Sequence, residues 1–316
     1  MRSKSVRVLV TGGAGFVGSH LVERLLAKDL EVTVIDDFST GQPENLRTCI
    51  EKADCRLIKG DIRDSRTIRE ALKDIDVIFH EAALVNIQQS VNVPSLANEI
   101  NVNGTLNLLE ASLKCSVRRF VFASSAAVYG EQQKLPIKEG AALHPISPYA
   151  ASKIAAESYL KAFNKTYGLE TVCLRYFNIY GPRQAGGTYA GAITEFMKNL
   201  RRNRQPTIYG DGEQTRDFIN VKDVVEANVL AMERNCSYEV FNVGTGTPIT
   251  INELLKTLQT IFGKAHIKPK YAPARQFDIR NSYADISKII SILGFKPTVP
   301  LAQGLQWLAK PQGQAV

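Results

Sequence analysis

The octapeptide TGGAGFVG at residues 11–18 constrains this chain more than any other stretch. It follows a β-branched run, VRVLV at 6–10, and precedes a helical pattern over about 16–28. A strand, a glycine turn and a helix in that order make the phosphate-binding start of a βαβ unit. Gly12, Gly15 and Gly18 have three-residue spacing, and Gly13, Gly15 and Gly18 also satisfy G-x-G-x-x-G. The turn needs a residue free to take φ > 0, a bare backbone reaches the pyrophosphate, and the last glycine lets the helix pack close to the sheet. Phe16 and Val17 open the helix whose oriented N–H groups meet the anion.

The same alternation continues. EVTVID at 31–36, RLIKGD at 56–61, DVIFH at 76–80, RRFVFAS at 118–124 and ETVCLRY at 170–176 are short apolar runs with helical segments between them. They are continuous rather than alternating, the mark of strands buried on both faces. The expectation is an α/β fold, a doubly wound parallel sheet. After Asn178 the texture changes: GPRQAGGTYAG is loop-like, a helix runs from about 193 to 202, TIYGDGEQTRDFINVKDV is turn-rich, and EVFNV at 239–243 returns to the sheet. Pro269, Pro273, Pro297 and Pro300 punctuate a smaller mixed lobe. With 316 residues the chain has room for two domains. The division expected is 1–178 plus about 215–245 for the dinucleotide, and about 179–214 plus 246–316 for a second ligand. That ligand belongs at the carboxyl ends of the strands.

The second strand ends in Asp36-Asp37, and a carboxylate there accepts hydrogen bonds from ribose hydroxyls and repels a 2′-phosphate. Phe38, Ser39, Thr40 and Gly41 follow with no arginine, so NAD is expected over NADP. The net charge of +8 is scattered, with Arg201, Arg202 and Arg204 as its densest cluster, which reads as solvated surface and not a nucleic-acid footprint. Five cysteines without a CxxC pair read as reduced thiols. Four histidines far apart give no metal spacing. No apolar run approaches the roughly 18 residues of a membrane span. MRSKSVRVLVTGGAG enters a strand within about five residues and leaves no room for a signal peptide, so a cytoplasmic location is expected.

FASSAAVYG at 122–130 ends the fifth strand, and SPYAASK at 147–153 begins a helix. Tyr149 and Lys153 are four apart and share a helix face. A phenol with an ordinary pKa near 10 is a poor base at neutral pH. A nearby ammonium and a positive nicotinamide ring favour the phenolate, and lowering the pKa by about 3 units corresponds to about 4 kcal/mol. A serine hydroxyl at the strand end holds the substrate oxygen and shares the proton.

These motifs, in order, resemble the extended short-chain dehydrogenases/reductases, specifically the nucleotide-sugar 4-epimerases of the UDP-glucose / UDP-N-acetylglucosamine type. TGGAGFVGSHL, GDIRD, HEAA, NVNGT, SSAAVYG, SPYAASK, RYFNIYGPRQ, GDGEQTRDFINVKDV, FNVGTG, DIRNSYADISK and LGFKP carry the resemblance over nearly the whole chain. It implies a Rossmann-like fold, bound NAD and a UDP-sugar substrate. It implies Ser125, Tyr149 and Lys153 as the catalytic set, with Ser124 adjacent as a second contact. Asp61 and Ile62 resemble adenine contacts, Ala82 and Ala83 small residues lining the cofactor, and Asn101 a supporting polar group. Phe177 and Asn178 resemble contacts to nicotinamide and to sugar or diphosphate. Arg216 and Arg275 resemble the diphosphate arginines, suited by a rigid fork that binds phosphate at two points. Asp278 would meet a ribose hydroxyl, and Ile208 and Tyr209 would wall the uracil. Relatives often dimerise through two helices per subunit, here about 93–114 and 150–167, so a homodimer is expected.

The related dehydratases and decarboxylases place acidic residues just after the catalytic Ser/Thr, for a second proton transfer. Here those positions are Ala126 and Ala127. The 4-keto sugar then has little to do except accept hydride back on its other face, which implies 4-epimerisation with Tyr149 as base. In this family one position of the C-terminal lobe carries either a bulky tyrosine or a small residue. The match in RNSYAD is Ser282, which leaves room for an N-acetyl group; alignment of Tyr283 instead would reverse the inference. The alternatives are a UDP-glucuronate 4-epimerase or nucleotide-sugar reductase on the same scaffold, and more remotely a non-catalytic NAD-binding protein.

Overall fold

The computed structural model describes residues 6–51, 55–184, 191–274 and 278–310. Strands β1 (Arg7–Thr11), β2 (Glu31–Asp36), β3 (Cys55–Lys59), β4 (Val77–His80), β5 (Arg119–Ser125) and β6 (Glu170–Tyr176) succeed one another through the first half. Four short strands follow, β7 (Asn178–Tyr180), β8 (Thr207–Tyr209), β9 (Thr215–Arg216) and β10 (Phe218–Asn220), and then β11 (Tyr238–Val243). β12 (Ile249–Thr250), β13 (Lys270–Ala272) and β14 (Asn281–Ser282) lie in the last third. The main sheet has seven parallel strands in the order β11-β6-β5-β4-β1-β2-β3. Chain progress runs outward both ways from the β1/β4 boundary. The crevice at that switch point, beyond the carboxyl ends, is where a dinucleotide sits in sheets of this kind.

Helices α1 (Phe16–Leu26), α2 (Arg47–Ile50), α3 (Ser65–Ala71), α4 (Ile87–Asn92), α5 (Pro94–Asn98), α6 (Gly104–Lys114), α7 (Pro148–Tyr167), α8 (Ala192–Arg201), α9 (Val221–Glu233), α10 (Ile251–Phe262), α11 (Ser287–Leu293) and α12 (Leu301–Ala309) complete the order. Val8 and Val10 of β1 share one apolar cluster with Leu21 and Leu25 of α1, Val224 of α9 and Ile289 of α11. Leu9, between them, belongs to the opposite cluster with Ile68 of α3, Leu108 of α6 and Leu160 of α7. Consecutive strand side chains face opposite ways, so a strand covered on both faces must be apolar at every position. Burying each such side chain contributes about 1.5–3 kcal/mol.

The sheet therefore matches the expectation. The segment 93–114 is helical without a break from Pro94 to Lys114, with one widened turn set into it. Pro94 starts α5, a π-helical turn spans Glu99–Asn103, and α6 resumes at Gly104. Such widened turns accompany functional sites, and this one carries Asn101. Helix α7 is set by its caps: the Ser147 hydroxyl accepts from Ala150 N at 3.2 Å, Pro148 occupies the first turn, and Gly168 ends it at φ +75°.

A third apolar cluster joins Ile193, Phe196 and Leu200 of α8 to Leu254 and Leu258 of α10 and Leu305 of α12. Beside it β8 pairs with β13, and β9 lies between β12 and β14 with Ser282 opposite Arg216. Among the described residues no helix is long and apolar enough to cross a membrane, and no group of three or more His, Cys, Asp or Glu is arranged to hold a metal ion.

Candidate active site

Gly12 stands at φ +67°, and a Cβ there would lie 2.8 Å from the backbone N and Cα of Ala82. A Cβ on Gly18 would lie 2.2 Å from the Gly12 carbonyl oxygen. Backbone cannot yield as a side chain can, whereas the clash at Gly13 is with the Val34 side chain at 2.6 Å. The close-approach positions are thus Gly12 and Gly18, with Gly15 as the N-cap of α1. No side chain caps that helix and no acid stands in its first turn. A bare cradle with free N–H groups suits a pyrophosphate, so these residues fit NAD.

The acidic pair divides. Asp36 is buried and accepts from Ala14 N at 2.9 Å and Phe38 N at 2.8 Å. Burial pushes its carboxyl up against those two bonds. Asp37 is exposed and accepts from the Ser39 N–H and hydroxyl at 2.9 and 2.7 Å. Thr40 is exposed and Gly41 is buried against the Asp36 carboxylate. Asp61 is held below the usual carboxylate range by its bond to Arg63, and Ile62 packs on Gly104. Asn101 clamps the loop after β4: its Oδ1 accepts from Leu84 N at 2.8 Å, and its Nδ2 donates to Leu84 O and to Ser152 Oγ. Ala82 and Ala83 open that loop, with Ala82 N donating to Thr11 Oγ1 at 3.2 Å.

Ser125, Tyr149 and Lys153 meet at the carboxyl edge of the sheet. Ser90 of α4 accepts from the Tyr149 N–H at 3.1 Å and so anchors the start of α7. The Ser125 side chain lies beside the Tyr149 phenol, and its hydroxyl accepts from Ala127 N at 3.2 Å. Burial pushes the phenol up, Ser125 pulls it down, and Glu81 adds to the rise. One turn on, Lys153 Nζ donates to Ala123 O at 2.7 Å and lies 5.9 Å from the Tyr149 ring centroid. Burial pushes its ammonium down to about 8, with Glu81 and Glu157 opposing.

Ser124 points elsewhere. Its hydroxyl donates to Glu157, whose two oxygens also accept from Arg175 Nε at 2.9 Å and Nη2 at 2.6 Å. Sequence reasoning passed over Glu157, although Tyr149, Lys153 and Glu157 stand at i, i+4 and i+8 on one face of α7. It also passed over Glu81, an acid ending an otherwise apolar run, whose Oε1 accepts from Tyr176 Oη at 2.8 Å.

Across the crevice, Phe177 is buried with its ring centroid 6.4 Å from that of Tyr129. Asn178 exposes its side and donates its N–H to Asp217 O at 2.9 Å. Ile208 is buried and Tyr209 exposed on β8. Arg216 pairs with Asp278, and Nη1 donates to Thr215 O at 2.7 Å. Burial pushes that guanidinium down, and Asp278 offsets it. Ser282 is buried beside Arg216 in the β9–β14 ladder. Arg275 lies outside the described residues.

The NAD dependent epimerase/dehydratase family matches residues 8–244. A UDP-glucose 4-epimerase of Mycolicibacterium smegmatis is 39% identical over 303 residues, covering 95% of this chain and 96% of that one. The UDP-glucose 4-epimerase of Thermotoga maritima, solved with UDP-glucose, is 40% identical with a TM-score of 0.91, covering 96% and 97% of the two chains. The UDP-N-acetylglucosamine 4-epimerase of Methanobrevibacter ruminantium M1, solved with UDP-N-acetylmuramic acid, is 40% identical with a TM-score of 0.92, covering 97% and 98%.

Proposed function

The chain belongs to the NAD dependent epimerase/dehydratase family, and from that premise we propose that it is an isomerase that interconverts UDP-hexoses at C4. The observation that carries this reading is the meeting of Ser125, Tyr149 and Lys153 at the sheet edge, followed by Ala126 and Ala127 in a 3-10 turn. Those alanines supply no acid for dehydration. Gly12, Gly15, Gly18, Asp36 and Asp61 would hold NAD, which when bound takes a hydride from C4 and returns it to the other face of the 4-keto sugar. Tyr149 Oη takes the proton from the sugar O4, Ser125 Oγ holds that oxygen, and Lys153 supplies positive charge behind the phenol. Arg216 and Asp278 receive the UDP moiety, with Arg216 on the diphosphate.

We propose further that N-acetylated UDP-hexoses are accepted beside the plain ones. Ser282 is small, buried and opposite Arg216. Adjacent residues of an extended segment face opposite sides, so Tyr283 does not share its surroundings. The test is to incubate purified protein, without added NAD, with UDP-N-acetylglucosamine and to follow the anomeric proton by NMR. UDP-N-acetylgalactosamine should appear. The variant S282Y should lose about tenfold or more in kcat/KM for the N-acetyl substrate and keep UDP-glucose turnover, because a ring fills space that one hydroxymethyl leaves. Equal losses on both substrates would remove Ser282 from the choice of sugar. No reaction with either sugar would favour the uronate epimerase or reductase reading. A homodimer with a Rossmann lobe and a nucleotide-sugar lobe in each subunit completes the proposal, checked by sedimentation.

A further inference from the structure

Asp217 is the single residue between β9 and β10, and it is wholly buried. β9 belongs to the β12-β9-β14 sheet, whereas β10 pairs with β7, which begins two residues beyond β6 of the main sheet. The Asp217 backbone carbonyl accepts from Asn178 N at 2.9 Å. In its side chain, Oδ1 accepts from Thr245 N at 2.8 Å and Thr245 Oγ1 at 2.6 Å, and Oδ2 accepts from Gly246 N at 2.9 Å and Ala284 N at 3.2 Å. An ionised carboxylate offers about four acceptor sites, and these four donors fill them. A Cβ on Gly244 would lie 2.5 Å from Oδ2, so a glycine there leaves the carboxylate its place.

The start of β7, the turn after β11 and the segment after β14 thus close on one residue. Residues read above as substrate contacts lie on or beside these bonds. Asn178 is bonded directly, Arg216 precedes Asp217, and Ser282 stands two residues before Ala284. The ladder that sets Ser282 opposite Arg216 has only two residue pairs, and so short a pairing is marginal by itself. The bond from Ala284 N to Oδ2 extends it, with the carboxylate in the place of a backbone carbonyl. Among the described residues, no hydrogen bond of Asp217 reaches Ser125, Tyr149, Lys153 or the glycine cradle. We infer that Asp217 is a positioning residue of the nucleotide-sugar site, which sets Arg216, Asn178 and Ser282 relative to one another and touches no substrate itself. This rests on the reading of Arg216 as a UDP contact.

The substitution D217N keeps the volume and breaks the pattern, because an amide oxygen offers half the acceptor sites and the NH2 group then faces donors. Ile137 N still holds Tyr283 O at 3.0 Å, so the segment stays attached but loosely placed. In the NAD-loaded enzyme, below its melting temperature, the Kd of UDP read by calorimetry and the KM for UDP-glucose should each rise by about tenfold, since binding must now order the site. The value of kcat should stay within about threefold, and bound NAD should match wild type. A residue that served stability alone would lower Tm and leave Kd and KM where they were. That result would overturn the inference, as would a fall in kcat at unchanged KM.

If D217N does not fold, T245V serves instead. It removes the hydroxyl bond at 2.6 Å and leaves the three N–H donors in place. The same two constants should then rise by about two- to threefold, and no rise would again overturn the inference. R216M separates the inference from its premise. Loss of UDP binding in R216M with none in D217N would sink the inference alone. An R216M enzyme that bound UDP as wild type does would remove the premise and the inference with it.

Discussion

Replacing Tyr149 with phenylalanine is expected to lower kcat for UDP-hexose epimerisation by about 10²–10⁴-fold, the usual worth of a positioned acid–base group. The change deletes one hydroxyl and keeps the ring, which is buried beside Lys153. Ser125 keeps its bond from Ala127 N, so the cost to stability is at most about 1 kcal/mol. The fall should therefore lie in kcat. KM, bound NAD and Tm should stay near wild type, because the glycine cradle and the Asp36 clamp are untouched. A coupled assay, the NAD content of the purified protein and a thermal melt check the three parts. Activity within tenfold of wild type would mean that another group takes the O4 proton, and the epimerase mechanism would have to be rebuilt around it.

The scaffold of that site is plain in the sequence because its determinants are local. A strand apolar at every position, a glycine triplet and a serine-proline helix start each act over a few residues. Seven strands and the start of α7 could be read this way. What could not be read depends on contacts between distant residues. Asp36 and Asp37 are adjacent in the chain, yet only Asp36 clamps Ala14 N. Ser124 and Ser125 are adjacent too, yet Ser124 bonds Glu157 while Ser125 accepts from Ala127 N and stands beside Tyr149. The π turn at Glu99–Asn103 has no periodic signature, since it departs from the 3.6-residue repeat that identifies helices. Glu81 looked like one letter of a motif until the fold brought Tyr176 to it.

Glu157→Gln should destabilise the protein by about 3–5 kcal/mol, the range for a buried ion pair stripped of one partner. Both side chains of the Glu157–Arg175 pair are about 95% buried, at 6% and 5% exposure. The carboxylate accepts from three donors, one from Ser124 and two from Arg175. Glutamine offers one acceptor oxygen, and its NH2 then faces a donor. Arg175 keeps Nη1 bonds to Tyr129 Oη at 2.9 Å and Glu139 O at 3.0 Å, so its charge stays buried with its countercharge gone. Urea denaturation followed by circular dichroism reads the loss as a lower midpoint at unchanged slope. A paired replacement, Glu157→Met with Arg175→Met, should cost less than the single change, because no uncompensated charge remains inside. If E157Q instead lost under about 1 kcal/mol, the pair would be behaving as a solvated surface bridge does. Its link to Ser124 could then not brace the strand end that carries Ser125.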